Sequence, residues 1–163
     1  MIAVQLAKKM DAKVIAVSKH NWIKDSEFGG ADHLISDYNR VADQVKEITE
    51  GKMADVDVVL NSLGVETWEN SYASIGINGR WVTFGTLSGP DIKLNLQSLY
   101  TKQIKLIGST GGTRRELQEV IDLAANNEIR AKVWKKFKLD NVKEAIDALS
   151  TKERDGRILL EIT

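Results

Sequence analysis

The sequence predicts a doubly wound parallel α/β sheet, and three observations carry that prediction. Short, nearly continuous apolar runs recur at Val14–Val17, Val56–Leu60 and Trp81–Phe84, the pattern of strands buried on both faces of a parallel sheet. Between them, apolar residues fall at three- and four-residue spacing, which is the stripe of a helix lying on a sheet. Strand and helix therefore alternate, and parallel neighbours require crossovers that cover a face. With 163 residues, 42% of them hydrophobic, the chain is long enough for one domain with a real core and too short for two full ones.

Taken in order, Ile2, Leu6 and Met10 with Ala3 and Ala7 form the stripe of an opening helix, which Asp11-Ala12-Lys13 ends before the strand Val14–Val17. Gly29-Gly30 punctuates ahead of a brief strand at 33–36, and Val41, Val45 and Ile48 line one face of a helix over 40–50. The strand Val56–Leu60 leads to a helix over Thr67–Ile75. Asn78-Gly79 then reads as a turn with positive φ before the strand Trp81–Phe84. A helical turn at 96–102 precedes the strand Ile104–Ile107, and Leu117, Val120, Ile121 and Leu123 mark a helix over Glu116–Asn126. The tail changes character: Lys132–Leu139 alternates apolar with lysine, which suits a half-exposed strand. A helix over Asn141–Ser150 and a strand Ile158–Ile162 follow, and this segment is expected to pack outside the main sheet.

Composition excludes several classes of function. Lysine plus arginine total 23 against 23 for aspartate plus glutamate, so no net field attracts nucleic acid or an anionic membrane. With no cysteine and only 2 histidines, neither a disulfide framework nor a thiolate zinc site can form, and no residue stands out as a metal ligand. No apolar run approaches the roughly 20 residues of a membrane span, and MIAVQLAKKM is too short and wrongly charged for a signal peptide. The chain reads as soluble and cytoplasmic.

In open parallel sheets ligands bind beyond the carboxyl ends of the strands. Here those ends carry Ser18-Lys19-His20, Asn61-Ser62-Leu63-Gly64, Gly85-Thr86-Leu87-Ser88-Gly89 and Gly108-Ser109-Thr110-Gly111-Gly112-Thr113. Such a rim of hydroxyls and glycines lets backbone approach a large polar cofactor. A carboxylate at the end of the first buried strand would accept from a ribose 2′-hydroxyl. Ser18, Lys19 and His20 suit a 2′-phosphate instead, which favours NADP(H) over NAD(H). The run GSTGGTRREL lacks the lysine and spacing of a Walker A loop, though Arg114 could reach a pyrophosphate. His33 has no acidic or hydroxyl partner at a telling spacing and reads as structural. Trp22, Trp68, Trp81 and Trp134 read as core or interface, and Asp155 and Glu161 about Arg157 as surface pairing.

AVQLAKKMDAKVIAVS, GGADHLIS, VDVVLNSLGVETWENSYASIGINGRWVTFG and IGSTGGTRRELQEVIDLA, in that order, resemble the cofactor-binding half of medium-chain alcohol dehydrogenases and quinone oxidoreductases. KLDNVKEAIDAL followed by DGRILLEIT is similar to the family's C-terminal return segment. The resemblance implies a Rossmann-like sheet lacking the family's first strand and glycine-rich loop, with a dinucleotide-binding domain over 1–130 and the return segment over 131–163. It implies hydride transfer between NADP(H) and an alcohol, carbonyl or activated alkene, with zinc and proton relay confined to an absent catalytic domain, so that no catalytic or metal residue is expected here and the chain alone is inactive. Ser18, Lys19 and His20 would face the adenosine ribose; Asn61, Ser62 and Gly64 would pass under the cofactor; Gly85 and Thr86 would approach the nicotinamide; Ser109, Thr110 and Thr113 would close the pocket. A non-catalytic binding or assembly module that no longer holds cofactor is the alternative. Asp11 stands where the family usually has glycine. The strands flanking the missing one are expected to close up, or Ile158–Ile162 or a second chain to fill in, and a homodimer through the edge strand Ile104–Ile107 is plausible.

Overall fold

A computed structural model of the chain describes residues 2–18, 29–50, 56–152 and 154–162. Lys19, His20 and Trp22 lie outside the described residues. The elements run α1 (Ile2–Lys9), β1 (Ile15–Val17), β2 (His33–Ile35), α2 (Val41–Ile48), β3 (Val56–Asn61), α3 (Val65–Ala73), β4 (Ile75–Thr83), α4 (Leu96–Thr101), β5 (Lys105–Gly108), α5 (Arg114–Ala125), β6 (Val133–Lys138), α6 (Val142–Leu149) and β7 (Arg157–Glu161). All described strand pairs are parallel, and they form three sheets: β1-β2, β3-β4-β5 and β6-β7. The chain divides into two compact units. One comprises the described residues within Met1–Val14, His20–Asp32 and Gln118–Thr163; the other those within Ile15–Lys19 and His33–Leu117.

The second unit carries two apolar clusters. Val41 and Val45 of α2 close over Ile35, with Ile15, Val17, Ile48 and Val56 around them. Trp68 and Tyr72 of α3 stack with ring centroids 4.7 Å apart, and Trp81 of β4 meets Trp68 edge-on at 4.7 Å. Ile75 and Ile104 complete this cluster. Trp68 is buried without losing a hydrogen bond, because its indole N–H donates to the Lys93 carbonyl at 2.8 Å. Two of the four tryptophans thus form one core.

In the first unit, Gln5 of α1 donates to the Arg130 carbonyl at 2.9 Å and accepts from the Arg130 N–H at 2.7 Å. Asp32 accepts from the Val14 N–H at 2.6 Å and from Lys8 at 2.9 Å. β6 and β7 form a two-stranded sheet of their own, and β6 is largely exposed, in keeping with its alternating pattern. Asp155, ahead of β7, pairs with Lys132 at 2.7 Å, and Glu161 of β7 with Lys136 of β6 at 3.4 Å, rather than with Arg157.

Several expectations need correction. The α1 stripe fails at its end, since Met10 lies past the last helical turn and is 81% exposed, while Val4 is the buried residue. β4 begins at Ile75, not Trp81. Asn78-Gly79 does carry a positive φ at Asn78, but as part of an irregularity inside β4, where the register with β3 jumps from Val56↔Ile75 to Val58↔Arg80. β3 is not buried on both faces, since Leu60 is 50% exposed; β5, expected as an edge strand, is exposed throughout. They are the two edges of a three-stranded sheet, paired on one side only among the described residues. Finally, β1 and β3 do not close up into one sheet, and the strand expected to fill in, β7, pairs with β6 instead.

Candidate functional site

Because β3, β4 and β5 run parallel, their carboxyl ends fall on the same side of the sheet, and the ladder continues past the strands into the loops. The Phe84 N–H donates to the Asn61 carbonyl at 3.1 Å, the Leu87 N–H to Ser62 at 3.3 Å and the Ser88 N–H to Leu63 at 2.6 Å. The Val65 N–H returns to the Gly89 carbonyl at 3.1 Å, and Gly64 and Gly89 form a further parallel bridge. On the third strand, the Ser109 N–H donates to the Thr83 carbonyl at 2.8 Å. Asn61, Ser62, Gly64, Gly85, Thr86 and Ser109 are therefore neighbours along one rim. Ser18 ends β1, where its N–H donates to the Ile35 carbonyl at 2.9 Å, and no ladder joins it to the other loops.

Asn61 enters the rim differently from its expected place under a ligand. It is buried, its Oδ1 accepts from the Leu63 and Gly64 N–H groups at 3.0 and 2.9 Å, and its Nδ2 donates to the Thr67 hydroxyl at 2.7 Å. Three of its four hydrogen-bonding positions are spent on the turn and on α3. Gly64 must be glycine: φ is +91°, and a Cβ there would lie 2.3 Å from the Gly89 carbonyl oxygen. Gly85 likewise sits against Ser62, whose carbonyl oxygen a Cβ would meet at 2.9 Å.

The 108–113 loop is built otherwise. It is exposed throughout, and a Cβ at Gly108 or Gly111 would meet nothing within 4 Å. Thr113 and Glu116 form a capping box: Glu116 accepts from the Thr113 N–H at 2.6 Å and from its hydroxyl at 2.8 Å, while the Glu116 N–H donates to that hydroxyl at 3.2 Å. The Thr113 N–H, then its hydroxyl, holds the Glu116 carboxyl below its ordinary pKa against a small opposing desolvation. Arg114 is exposed at the first position of α5. Among the described residues no group of three or more His, Cys, Asp or Glu could hold a metal ion. A cavity of about 400 Å³ does occur in the first unit, bordered by Gln5, Lys8, Lys9 and Glu128. Of its charged lining residues, Lys9 pairs with Glu128, and Lys8 with Asp32 outside the lining.

Such a rim, made of uncharged donors and close backbone with open space over Gly108 and Gly111, suits a large polar ligand. A family model described as zinc-binding dehydrogenase matches residues 1–126. The chain belongs to that family. Relatives include an NAD-dependent alcohol dehydrogenase of Sulfolobus acidocaldarius, 32% identical over 99% of this chain and 47% of the relative. A quinone oxidoreductase of Salmonella typhimurium is 33% identical over 98% of this chain and 52% of its own. Among solved structures, a thermostable alcohol dehydrogenase from Pyrobaculum aerophilum superposes with a TM-score of 0.80 at 33% identity, covering 98% of this chain and 46% of that one. The zinc-binding dehydrogenase family is thus one of oxidoreductases, and the α/β fold of this member corresponds to its Rossmann-like half. The chain spans about half the length of the curated relatives it matches. No described helix is long and apolar enough to cross a membrane.

The remote capping of α3 was missed in the sequence. Gly64 at the cap position, with no Ser, Thr, Asp or Asn there, is the one available hint that an acceptor must come from elsewhere.

Proposed function

We propose that this chain is the dinucleotide-binding half of a cytoplasmic medium-chain oxidoreductase that transfers hydride between NADP(H) and an alcohol, carbonyl or activated alkene. The observation that carries this reading is the joined rim of turns 61–64, 85–89 and 108–113, glycine-lined and hydroxyl-rich, in a zinc-binding dehydrogenase relative. In it, Ser18, Lys19 and His20 take the adenosine ribose and its phosphate, with no carboxylate to repel it. The backbone of Ser62 and Gly64 passes under the cofactor. Gly85 and Thr86 approach the nicotinamide, and Ser109, Thr110 and Thr113 border the pocket, with Arg114 near the pyrophosphate. Bound, the nicotinamide supplies the hydride; the protein's part is to orient it. Residues 1–130 form this domain, 131–163 return to a catalytic domain, and the exposed edge of β5 pairs two copies.

A second reading, a binding module that holds no cofactor, draws on one observation. The first-turn N–H groups of α3 and the Thr113 N–H before α5 are already taken by Ser88, Gly89 and Glu116, so they are not donors for a phosphate. Titration of the chain with NADPH and NADH by cofactor fluorescence separates the two. Saturable binding with NADPH the tighter ligand, in a sample that scatters light as a dimer, supports the first; tighter NADH overturns the NADP(H) preference, and no binding of either supports the second.

A further inference from the structure

We propose that Ser88 is a positioning residue of this rim: from a different loop it caps helix α3, and in doing so fixes the 85–87 turn against the 61–64 turn. Gly64 occupies the cap position of α3 and has no side chain, yet the first turn of a helix presents N–H groups that need an acceptor. The Ser88 hydroxyl, 22 residues downstream, accepts from the Glu66 N–H at 3.0 Å. The same hydroxyl donates to the Leu63 carbonyl at 2.6 Å, alongside the Ser88 N–H at 2.6 Å. One side chain thus uses its donor on the opposite loop and its acceptor on the first turn of α3.

The consequence lies in the turn between. Its near end is tied by the Phe84 N–H to Asn61, and its far end by Ser88 and by Gly89, whose carbonyl accepts from the Val65 N–H; between them the Leu87 N–H donates to Ser62 at 3.3 Å and the Gly89 N–H to the Thr86 carbonyl at 3.1 Å. Without the Ser88 hydroxyl the far end loses two of its bonds and keeps those of the Ser88 N–H and of Gly89, so Gly85 and Thr86 are held less firmly against Ser62. Ser88 itself is exposed, so its removal takes nothing from the core.

The role assigned here rests on the dinucleotide reading above, and the test keeps the two apart. Ser88→Ala deletes the hydroxyl and Ser88→Thr keeps it; both are compared with the unaltered chain for NADPH and NADH affinity and for amide hydrogen exchange at Glu66. Expected are a Kd raised about fivefold and faster Glu66 exchange in S88A, with S88T within about twofold of the unaltered chain on both readouts. Faster exchange at Glu66 with an unchanged Kd in S88A leaves a merely structural cap and overturns the positioning role alone, as does S88T behaving like S88A. An unaltered chain that binds neither dinucleotide overturns the cofactor reading and the positioning role together.

Discussion

The two parts of the rim are held in opposite ways. Turns 61–64 and 84–89 are stitched to each other by a continued parallel ladder, by Asn61 inside the first turn and by the Ser88 hydroxyl across both. The 108–113 loop is fixed at its root by the Ser109 N–H and at its far end by a capping box that is entirely its own, with open space beside Gly108 and Gly111 between. Both carry the same residue types, glycine, serine and threonine. What separates them is whether the loop's backbone groups are spent on a neighbouring strand end or on its own helix. A loop stitched to its neighbour is preorganised and transmits any change to it, whereas a self-capped loop can adapt to a ligand without disturbing the sheet.

A glycine substitution on each side gives the largest expected contrast. Gly64→Ala puts a methyl 2.3 Å from the Gly89 carbonyl in a backbone of φ +91° and ψ −132°, close to a region that only glycine populates. The cost is expected to be about 3 kcal/mol, from strain plus loss of the Gly64–Gly89 bridge. Gly111→Ala meets nothing and should stay within about 0.5 kcal/mol of the unaltered chain. Urea unfolding measures both; equal effects would mean that the stitching does not set the stability of the rim.

How much of this was legible depends on how local the signal is. The centres of β1, β3 and β5 could be read because apolar runs are contiguous in the chain, and the tail sheet because Val133, Trp134 and Phe137 sit among lysines. The start of β4 could not, because Asn78-Gly79 carries the signature of a turn while the ladder tolerates it as a register jump. The exposure of Leu60 was hidden for a related reason: an apolar run shows that a strand can be buried on both faces, not that a neighbour is there to bury it. At the site, the neighbourhood of the turns was legible and their bonding only partly. Gly64 and Gly85 were read as places where backbone approaches a cofactor; the close approach in the structure is to Gly89 and Ser62. Ser88 reached across because its partners lie 22 and 25 residues away, at a distance no spacing encodes; Asn61 turned inward onto its own turn, bonding N–H groups two and three residues on, which is a local signal that the reading of it as a ligand contact passed over.

The second contrast concerns acid. Thr113→Ala removes the cap of α5 and should cost about 1 kcal/mol, with the stitched turns unaffected and the effect additive to that of Gly64→Ala. Glu116, whose carboxyl is held below its ordinary pKa by the Thr113 N–H and then its hydroxyl, stabilises the folded chain only while ionised. Its contribution is present above the unfolded-state pKa and is lost as pH falls through the lower folded-state value. The stability gap between the unaltered chain and Glu116→Gln should therefore narrow as pH drops below the ordinary carboxylate range. Asp32 follows the same sign, held down by the Val14 N–H and then by Lys8, so Asp32→Asn tests whether the acid response of the first unit is separate. A gap for Glu116→Gln that stays constant down to strong acid would contradict the capping box.

The smallest effect sharpens what a positive φ means in this chain. Gly64 needs glycine, but Asp11 at φ 57° and Gln103 at φ 55° sit in the ordinary left-handed well, each just past a helix end. Both close the hydrogen-bond pattern that glycine usually closes: Ala12 N–H to Ala7 and Asp11 N–H to Lys8 after α1, Ile104 N–H to Leu99 and Gln103 N–H to Tyr100 after α4. A side chain there costs energy without preventing the turn, so Asp11→Gly and Gln103→Gly should each stabilise the chain by about 0.5–1 kcal/mol. Asp11→Gly should gain the more, because it also removes a negative charge from the negative end of the α1 dipole. Thermal unfolding with raised midpoints for both, in that order, would show that the strain of a left-handed residue is separable from the close backbone approach that makes Gly64 irreplaceable; a loss of stability in either would show that its side chain makes contacts worth more than the strain.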